Sequence, residues 1–291
     1  MLLERYYLGA PVWSHKGWTG SLFRRDAKAT DYLSQYASVF NTVEGNTTFY
    51  AMPPEETVQR WLAATPENFR FCFKFPRTIT HDKHLQNAEA ETATFLERLA
   101  PLGPRLGPFL LQLPPSFGPL AIPDLLSYLD QLPDSYRYAV EVRNFVFFAK
   151  GKAEQELNRV LTERGIDRTI FDTRALRSAD PAEKAVRVHQ QRKPDLPVHF
   201  LATGSRPFYR YVGHPQLEAN LPTLQELADW TARWIHEGHT PYVFMHSIYD
   251  DLVPEQSRLF HHLLSQRLEV GDMPPWPGET EEPELKQLSL F

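Results

Sequence analysis

Hydrophobic residues along this chain fall into short β-type runs separated by longer stretches of helical periodicity. This alternation is typical of a parallel sheet wrapped by helices. Eight runs predict strands at Tyr6–Ala10, Phe40–Glu44, Phe69–Phe75, Phe109–Leu113, Tyr138–Arg143, Arg168–Asp172, Phe208–Val212 and Tyr242–His246. The intervening patterns predict helices near residues 30–38, 55–64, 87–100, 123–132, 152–164, 222–237 and 254–268.

Eight strands at this rhythm favour a closed barrel. The predicted fold is α/β, a single-domain TIM-like (β/α)₈ barrel over residues 1–270. Such a barrel usually needs about 250 residues, and the chain has 291. The alternative is an open doubly wound sheet, but the chain has no glycine-rich phosphate fingerprint to support it.

Two segments break the alternation of strands and helices. Residues 174–206 are long and polar, which predicts an insertion after the sixth strand. A lid over the catalytic face and a plain surface excursion both fit such an insertion. Residues 271–291 form an acidic, Pro-rich tail, which we expect to be disordered up to its last few residues.

Composition and charge indicate a globular protein with a nearly neutral body. Hydrophobic residues make up 42% of the chain, as in a globular protein. The formal net charge is −5, but residues 272–291 hold five acids and one base, so the body is nearly neutral. A large basic face for duplex DNA is therefore not evident, although a local basic pocket stays open. Cys72 is the only cysteine, and its place between two phenylalanines predicts a buried small hydrophobe.

The same features predict a cytoplasmic protein without a membrane segment. A single cysteine forms no intramolecular disulfide and suits a reducing compartment. No stretch approaches 18 uninterrupted apolar residues, and the first residues carry charges where a signal peptide needs an apolar run.

Polar side chains end most of the predicted strands. Alternate residues of a barrel strand point inward, and active sites form at the carboxyl ends of the strands. Charged groups that point into a barrel are costly unless they are paired or line a site. A self-satisfied ion network is the alternative, but polar residues close seven of the eight strands, which favours a ligand site. The inward candidates are Glu44, Asn46, Lys74, Gln112, Glu141, Arg143, Asp172, Arg210 and His246.

The candidate roles follow from residue type. Lys74, Arg143 and Arg210 suit an anion such as phosphate or carboxylate, because guanidinium groups bind such oxygens in pairs. Glu44 and Glu141 are candidate general acids or bases, and Asp172 and His246 complete the candidate catalytic set. Asn46, Gln112 and His81 are candidate ligand contacts. Trp18, in a Gly-containing loop after the first strand, is a candidate for stacking on a base or sugar.

A metal centre is the natural competitor. His81, Glu141, Asp172, His214 and His246 can converge in such a barrel. However, no pair of histidines stands in a helical His-x-x-x-His pattern with a glutamate, and no cysteine pair exists. We therefore expect no metal and no other cofactor.

Several motifs in fixed order resemble one known family. They are Val43–Tyr50 (VEGNTTFY), Trp61 with Thr65-Pro66, Phe71–Pro76 with Thr80-His81, Gln112–Pro115 with Phe117, Glu141–Arg143, Asp172-Thr173 and Tyr209–His214. Together they resemble the DUF72 (YecE-like) family over residues 6–268.

The resemblance implies a TIM-like barrel, in agreement with the strand count. The family name records that its activity is not established. Its fold is similar to that of endonuclease IV and of metal-dependent sugar isomerases, which is weak evidence of function. Many members carry an Asn-Asn pair at the end of the eighth strand, whereas this chain has His246-Ser247, so any role of that pair is in doubt here.

The last five residues resemble a different kind of signature. Gln287-Leu288-Ser289-Leu290-Phe291 resembles the peptide with which bacterial replication and repair proteins bind the sliding clamp. Leu288, Leu290 and Phe291 can fill an apolar pocket while Gln287 fixes the register. The sequence therefore predicts the sliding clamp as a partner; the alternative is an apolar terminus that packs back on the barrel.

Together these features predict a barrel with an anion-binding, acid/base-capable site, recruited to DNA through the clamp. The substrate would be nucleic acid or a phosphoester, handled by hydrolysis or lyase chemistry. Two alternatives stay open: a non-catalytic nucleic-acid or protein adaptor, and an enzyme for phosphorylated or acidic sugars with an incidental tail.

Overall fold

The computed structural model describes residues 5–280, which form a barrel of parallel strands surrounded by helices. The strands are β1 Tyr7–Gly9, β2 Thr42–Gly45, β3 Arg70–Phe73, β4 Phe109–Gln112, β5 Tyr138–Glu141, β6 Asp167–Arg168, β7 Ile170–Asp172, β8 Phe208–Val212 and β9 Tyr242–His246. The helices are α1 Tyr32–Val39, α2 Glu55–Ala64, α3 Glu89–Leu99, α4 Ile122–Leu129, α5 Lys152–Glu163, α6 Arg174–Arg177, α7 Lys184–Arg192, α8 Leu221–His236 and α9 Val253–Ser265.

Backbone hydrogen bonds link the strands into a closed ring. The paired groups are β2-β3, β4-β5-β6 and β7-β8-β9-β1, all parallel. Glu44 N donates to Ala10 O at 3.0 Å, and Phe75 N donates to Leu110 O at 2.9 Å, which joins the groups. β6 and β7 are two halves of one barrel strand, interrupted at Thr169. The predicted TIM-like barrel is confirmed.

The inside of the barrel is apolar from its amino end to mid-height and polar at the carboxyl end. Residues from six strands form the apolar layer: Tyr7, Cys72, Leu110, Ala139, Phe208, Tyr242 and Phe244. Cys72 is fully buried there, which confirms its interpretation as a small core residue. This layer forms a floor beneath the carboxyl-end side chains, so a ligand has access only from the mouth of the barrel.

The insertion after β7 packs across part of that mouth. Leu176 of α6, Val186 of α7 and Ala179 between the two helices pack with Phe171 of β7 and with Val212 at the end of β8. Neither of these two helices was predicted, because the segment is polar and its apolar positions are few. The insertion is thus a folded part of the carboxyl face.

The chain beyond α9 also contacts the barrel. Trp276 is buried, and the Arg258 guanidinium lies 3.4 Å above its ring. Burial of an indole fixes the backbone around it, so residues 271–280 differ from the disorder expected for this segment. The predicted clamp-binding residues Gln287, Leu288, Leu290 and Phe291 lie outside the described residues.

Among residues 5–280, none of the helices combines the length and the apolar character needed to cross a bilayer.

Candidate functional site

Arg210 is the centre of the polar cluster at the carboxyl end of the barrel. Its Nε and Nη2 donate to the two carboxylate oxygens of Glu44 at 2.6 and 2.7 Å, and its Nη1 donates to Glu141 at 2.6 Å. These three residues come from β8, β2 and β5, which lie far apart around the ring. Only side chains that point inward can meet across a barrel, so the alternation of the three strands places them as predicted.

The cluster continues towards solvent through Arg143. Its Nε donates to Glu141 at 2.7 Å and its Nη2 donates to Gln112 Oε1 at 2.8 Å. On the other side, Asn46 Nδ2 donates to Glu44 at 2.7 Å. Glu44, Glu141 and Arg210 are buried, whereas the Arg143 side chain is 20% exposed. Two carboxylates and two guanidinium groups thus satisfy one another in a bidentate network.

The two carboxylates are held in the ionised form. Burial by itself would raise the pKa of Glu44, but Arg210 and His246 outweigh burial and hold that pKa well below its usual range. Burial would also raise the pKa of Glu141, but Arg210, Arg143 and Lys74 outweigh burial and lower that pKa to about 2. A group with so low a pKa is a poor proton donor and a weak base near neutral pH. The electrostatics therefore disfavour Glu44 and Glu141 as general acids or bases.

Lys74 lies in the same cluster without a matching carboxylate. Its ammonium is 3.6 Å from the centre of the Phe49 ring, and the residue is 7% exposed. Within residues 5–280 no hydrogen bond or ion pair of this ammonium is found. Burial, with Arg210 and Arg143 nearby, lowers the pKa of Lys74 to about 7, although Glu141 and Glu44 oppose the shift. Lys74 therefore changes its charge near neutral pH, which suits acid/base or nucleophilic chemistry.

Lys193 reaches the same mouth from the insertion. Its ammonium lies 5.7 Å from the Phe171 ring centre, over the same ring as Arg210 and Arg143 at 5.0 and 5.4 Å. Burial together with Arg210 and Arg143 lowers the pKa of Lys193 to about 8. In the described part of the chain it also has no carboxylate partner. Because the network below is balanced, the excess positive charge of the mouth belongs to Lys74 and Lys193.

Two histidines flank the network. His246 is buried, its Nε2 is 3.6 Å from Glu44 Oε2, and that nitrogen has no hydrogen-bond partner among residues 5–280. Burial lowers its pKa even though Glu44 opposes the shift, so the ring is neutral at pH 7. His81 packs edge-on against Phe49, and burial with Lys74 and Arg143 lowers its pKa to about 4. A neutral imidazole can relay a proton by accepting one at one ring nitrogen and releasing one from the other.

Asp172 does not belong to this cluster. β7 pairs with β8 so that Phe171 lies opposite Arg210 and Asp172 lies opposite Tyr211. Residues opposite each other share a face, so Phe171 points inward and Asp172 points towards the helices. There Asp172 accepts hydrogen bonds from Tyr209 Oη at 2.6 Å and from Arg174 Nη2 at 2.9 Å. The prediction that Asp172 lies in the pocket is therefore wrong. Asp172 instead holds the start of α6.

Trp18 also differs from expectation. It is fully buried, stacks on Tyr36 at 6.3 Å between ring centres, and donates its indole N–H to Asp250 O at 2.8 Å. A ring enclosed on its faces cannot stack on a ligand. Trp18 is therefore a core residue that ties the loop after β1 to the loop after β9.

The structure does not bring the candidate metal ligands together. In residues 5–280 there is no group of three or more His, Cys, Asp or Glu side chains in position to hold a metal ion. Asp172 lies outside the barrel interior, and His214 accepts a hydrogen bond from Gln216 N at 2.9 Å beside α8.

Open cavities occur at the opposite end of the barrel. One of about 550 Å³ and a neighbour of about 260 Å³ share Arg137 and Arg206 in their walls. Arg137 Nη1 donates to the carbonyls of Asp134 and Tyr136, which fixes it as a surface brace. Active sites of these barrels lie at the carboxyl ends of the strands, so we place the chemistry at the mouth.

Comparison with known proteins places the chain in a family. A family model described as "Protein of unknown function DUF72" matches residues 7–281. The UPF0759 protein YecE of Escherichia coli K12 is 41% identical over 275 residues, which cover 94% of this chain and 98% of YecE. The chain belongs to the DUF72 family. The UPF0759 protein YunF of Bacillus subtilis is 26% identical over 247 residues, which cover 77% of this DUF72 chain and 81% of YunF.

Solved DUF72 proteins share the fold. A DUF72 family protein of Thermotoga maritima superposes with a TM-score of 0.67 at 22% identity, covering 89% of this chain and 99% of its own. A DUF72 family protein of Enterococcus faecalis gives 0.70 at 19% identity, covering 93% and 98%. At this identity the likeness establishes the barrel alone.

The sequence did not indicate Lys193 or Phe171 as neighbours of this site. Lys193 lies in a polar segment with many charged residues, and nothing in its local pattern separates it from them. The strand pattern alone could not indicate Phe171, because a period of two from Arg168 leads to Asp172. The pairing of β7 with β8, which puts Phe171 opposite Arg210, shows its inward position.

Proposed function

We propose that the carboxyl mouth of this barrel binds a small anion, such as a carboxylate or a phosphate group, and uses Lys74 as its acid/base group. The observation that carries the proposal is the charge balance. Glu44 and Glu141 are matched by Arg210 and Arg143, which leaves the positive charges of Lys74 and Lys193 uncompensated within residues 5–280. Buried positive charge without a counterion favours binding of an anion from solution.

The burial of the network and the insertion beside it favour a small ligand over duplex DNA. The network residues are buried, and the insertion covers one side of the opening. Only side chains at the rim, such as Arg143 and Lys193, are partly exposed. This supports a small phosphorylated or acidic compound, or a single extruded phosphoester, as the substrate. It counts against an adaptor that binds a nucleic acid surface with this face.

The proposal is tested by measuring anion binding in solution. Phosphate, sulfate and acetate are titrated into the purified protein at low ionic strength, with calorimetry and thermal melting as readouts. Lys74→Met and Lys193→Met should each weaken phosphate binding about tenfold, because each removes a charge-assisted contact worth about 1.4 kcal/mol. Lys184→Met is the matched control, since Lys184 is exposed on α7. Absence of binding by all three anions, or equal binding by all variants, contradicts the proposal.

The second candidate function is recruitment to the bacterial sliding clamp, supported by the terminal residues Gln287–Phe291. Three apolar anchors on a short peptide should give an affinity on the order of micromolar, since ordering the peptide offsets much of the gain. If this proposal holds, the barrel acts on a phosphoester near DNA.

The clamp proposal is tested with the double variant Leu290→Ala/Phe291→Ala. Each truncation should cost about 1–2 kcal/mol of binding to purified bacterial clamp. Leu285→Ala, just upstream of the peptide, is the control and should bind as the wild type does. Equal binding by wild type and double variant, or binding by neither, refutes the proposal. A large fall in melting temperature would instead show that the terminus stabilises the barrel.

A further inference from the structure

Four features distinguish the side chain of Lys74. The Lys74 side chain is buried, and its amine faces an aromatic ring, has two guanidinium groups nearby, and has no hydrogen-bond or ion-pair partner in the described structure. A lysine kept only for charge usually pairs with a carboxylate. Glu141 and Glu44 are near enough to influence Lys74, yet their oxygens bond to Arg143, Arg210 and Asn46. The arginines thus occupy the carboxylates that would otherwise bind the amine.

These features are those of a nucleophilic lysine. A neutral amine attacks carbonyl carbon, and desolvation beside other cations is the usual way in which a protein keeps a lysine neutral. We propose that Lys74 forms a covalent Schiff base with a small anionic carbonyl compound, an aldehyde or ketone that carries a carboxylate or phosphate group. The inference rests on the anion site proposed above and adds the reacting atom to it.

The chemistry balances without an oxidant or a reductant. The Nζ lone pair forms a bond to the carbonyl carbon, and the carbonyl π electrons move to its oxygen, which takes a proton. Nζ gives up a proton to form the neutral carbinolamine. The oxygen takes a second proton and leaves as water while the nitrogen lone pair closes the C=N bond. The sum is amine plus carbonyl plus one proton, giving a protonated imine and water.

The surrounding groups suit each stage. Lys193 and Arg143, at the rim, are placed to hold the anionic group of the compound. The neutral imidazole of His81, beside Phe49, can relay the protons. The protonated imine restores the positive charge that the neutral amine lacked, and the ionised Glu141 and Glu44 stabilise it. A Schiff base is a recognised route to the lyase chemistry that the sequence allowed.

Glyoxylate, the smallest aldehyde that carries a carboxylate, is the probe. The wild-type protein is incubated with glyoxylate and cyanoborohydride, which reduces the imine to a stable carboxymethyl-lysine, and peptide mass spectrometry locates the label. At pH 7 about half of Lys74 is neutral, against a few in ten thousand for an ordinary lysine. We expect Lys74 to be labelled at least about tenfold faster than the exposed Lys152 and Lys184. Phosphate should protect it, and Lys74→Arg should lose that adduct.

The pH profile separates Lys74 from its neighbours. Its labelling should reach half of its maximum near pH 7, with Glu44, Glu141, Arg143, Arg210 and His81 as the charged or titratable groups around it. Labelling of Lys193 in place of Lys74, or no preference over Lys152 and Lys184, overturns the inference. If phosphate still binds in that case, the anion site stands and only the covalent step is lost. If phosphate does not bind either, the proposed function fails as well.

Discussion

At the scale of single residues, two cations of the same cluster should affect stability in opposite directions. Arg210 satisfies two buried carboxylates, Glu44 and Glu141. Lys74 is held near positive charge in a buried site. Removing a partner of a buried ion pair leaves uncompensated charge, whereas removing a buried charge that has no partner relieves a cost. Lys74 therefore lowers the stability of the fold while serving the proposed site, whereas Arg210 serves the site and also stabilises the fold.

Arg210→Met should lower the free energy of unfolding by about 3–5 kcal/mol, because it strands two buried carboxylates. Urea unfolding at pH 7 measures the change. Arg206→Met is a matched control on the same segment, where the guanidinium Nη1 donates to Ser205 Oγ at 3.0 Å; it should cost less than about 1 kcal/mol. Similar losses in both variants would show that the network contributes little.

Below pH 7, Lys74→Met should raise the free energy of unfolding by on the order of 1–2 kcal/mol, because it removes a buried charge. This net figure already includes the loss of the contact between Lys74 and Phe49. The folded-state pKa of Lys74 is about 7, below the usual value near 10.4 in unfolded chains. Between these values the unfolded state binds the extra proton, so wild-type stability rises with pH there. The advantage of the variant should shrink from pH 7 towards pH 10. A variant less stable than wild type at pH 6 contradicts the assigned environment of Lys74.

At the scale of elements, the insertion is a folded cover that places Lys193 over the mouth. The carbonyl of Lys193 accepts a hydrogen bond from Arg177 Nη2, and that of Pro194 accepts from Thr173 Oγ1 at 3.2 Å. Further along, His199 Nδ1 lies 2.6 Å from Glu154 on α5, which fixes the returning chain. These contacts join residues remote in sequence, so the local pattern could predict an insertion but not its fold.

Arg177→Ala should weaken phosphate binding about threefold to fivefold, because one hydrogen bond worth about 1 kcal/mol orients the segment that carries Lys193. The loss should be smaller than that of Lys193→Met, since the charge remains. Arg187→Ala is the control: Arg187 lies on α7 and its Nη1 bonds to Pro181 O at 2.9 Å, away from Lys193. Calorimetric titration with phosphate compares the three. Equal affinities for the two alanine variants would show that Arg177 does not position Lys193.

At the scale of the whole molecule, the sequence predicted the barrel and most of its polar mouth, because period-two alternation and parallel strand ends are local rules with global consequences. Glu44, Gln112, Glu141, Arg143 and Arg210 meet for that reason. The prediction for Asp172 was wrong by one position, because adjacent residues of a strand point to opposite faces. The sequence could not predict which cations pair with a carboxylate, because that pairing depends on distances across the barrel.

The most direct test of the anion site is a crystal structure of the protein soaked with phosphate at neutral pH. We expect an ordered phosphate at the carboxyl mouth, with oxygens within about 3.2 Å of at least two of Lys74, Arg143 and Lys193. Glu44 and Glu141 should remain bonded to Arg210 beneath it. A mouth without phosphate, in which Lys74 has moved to pair with Glu44 or Glu141, would contradict the central claim.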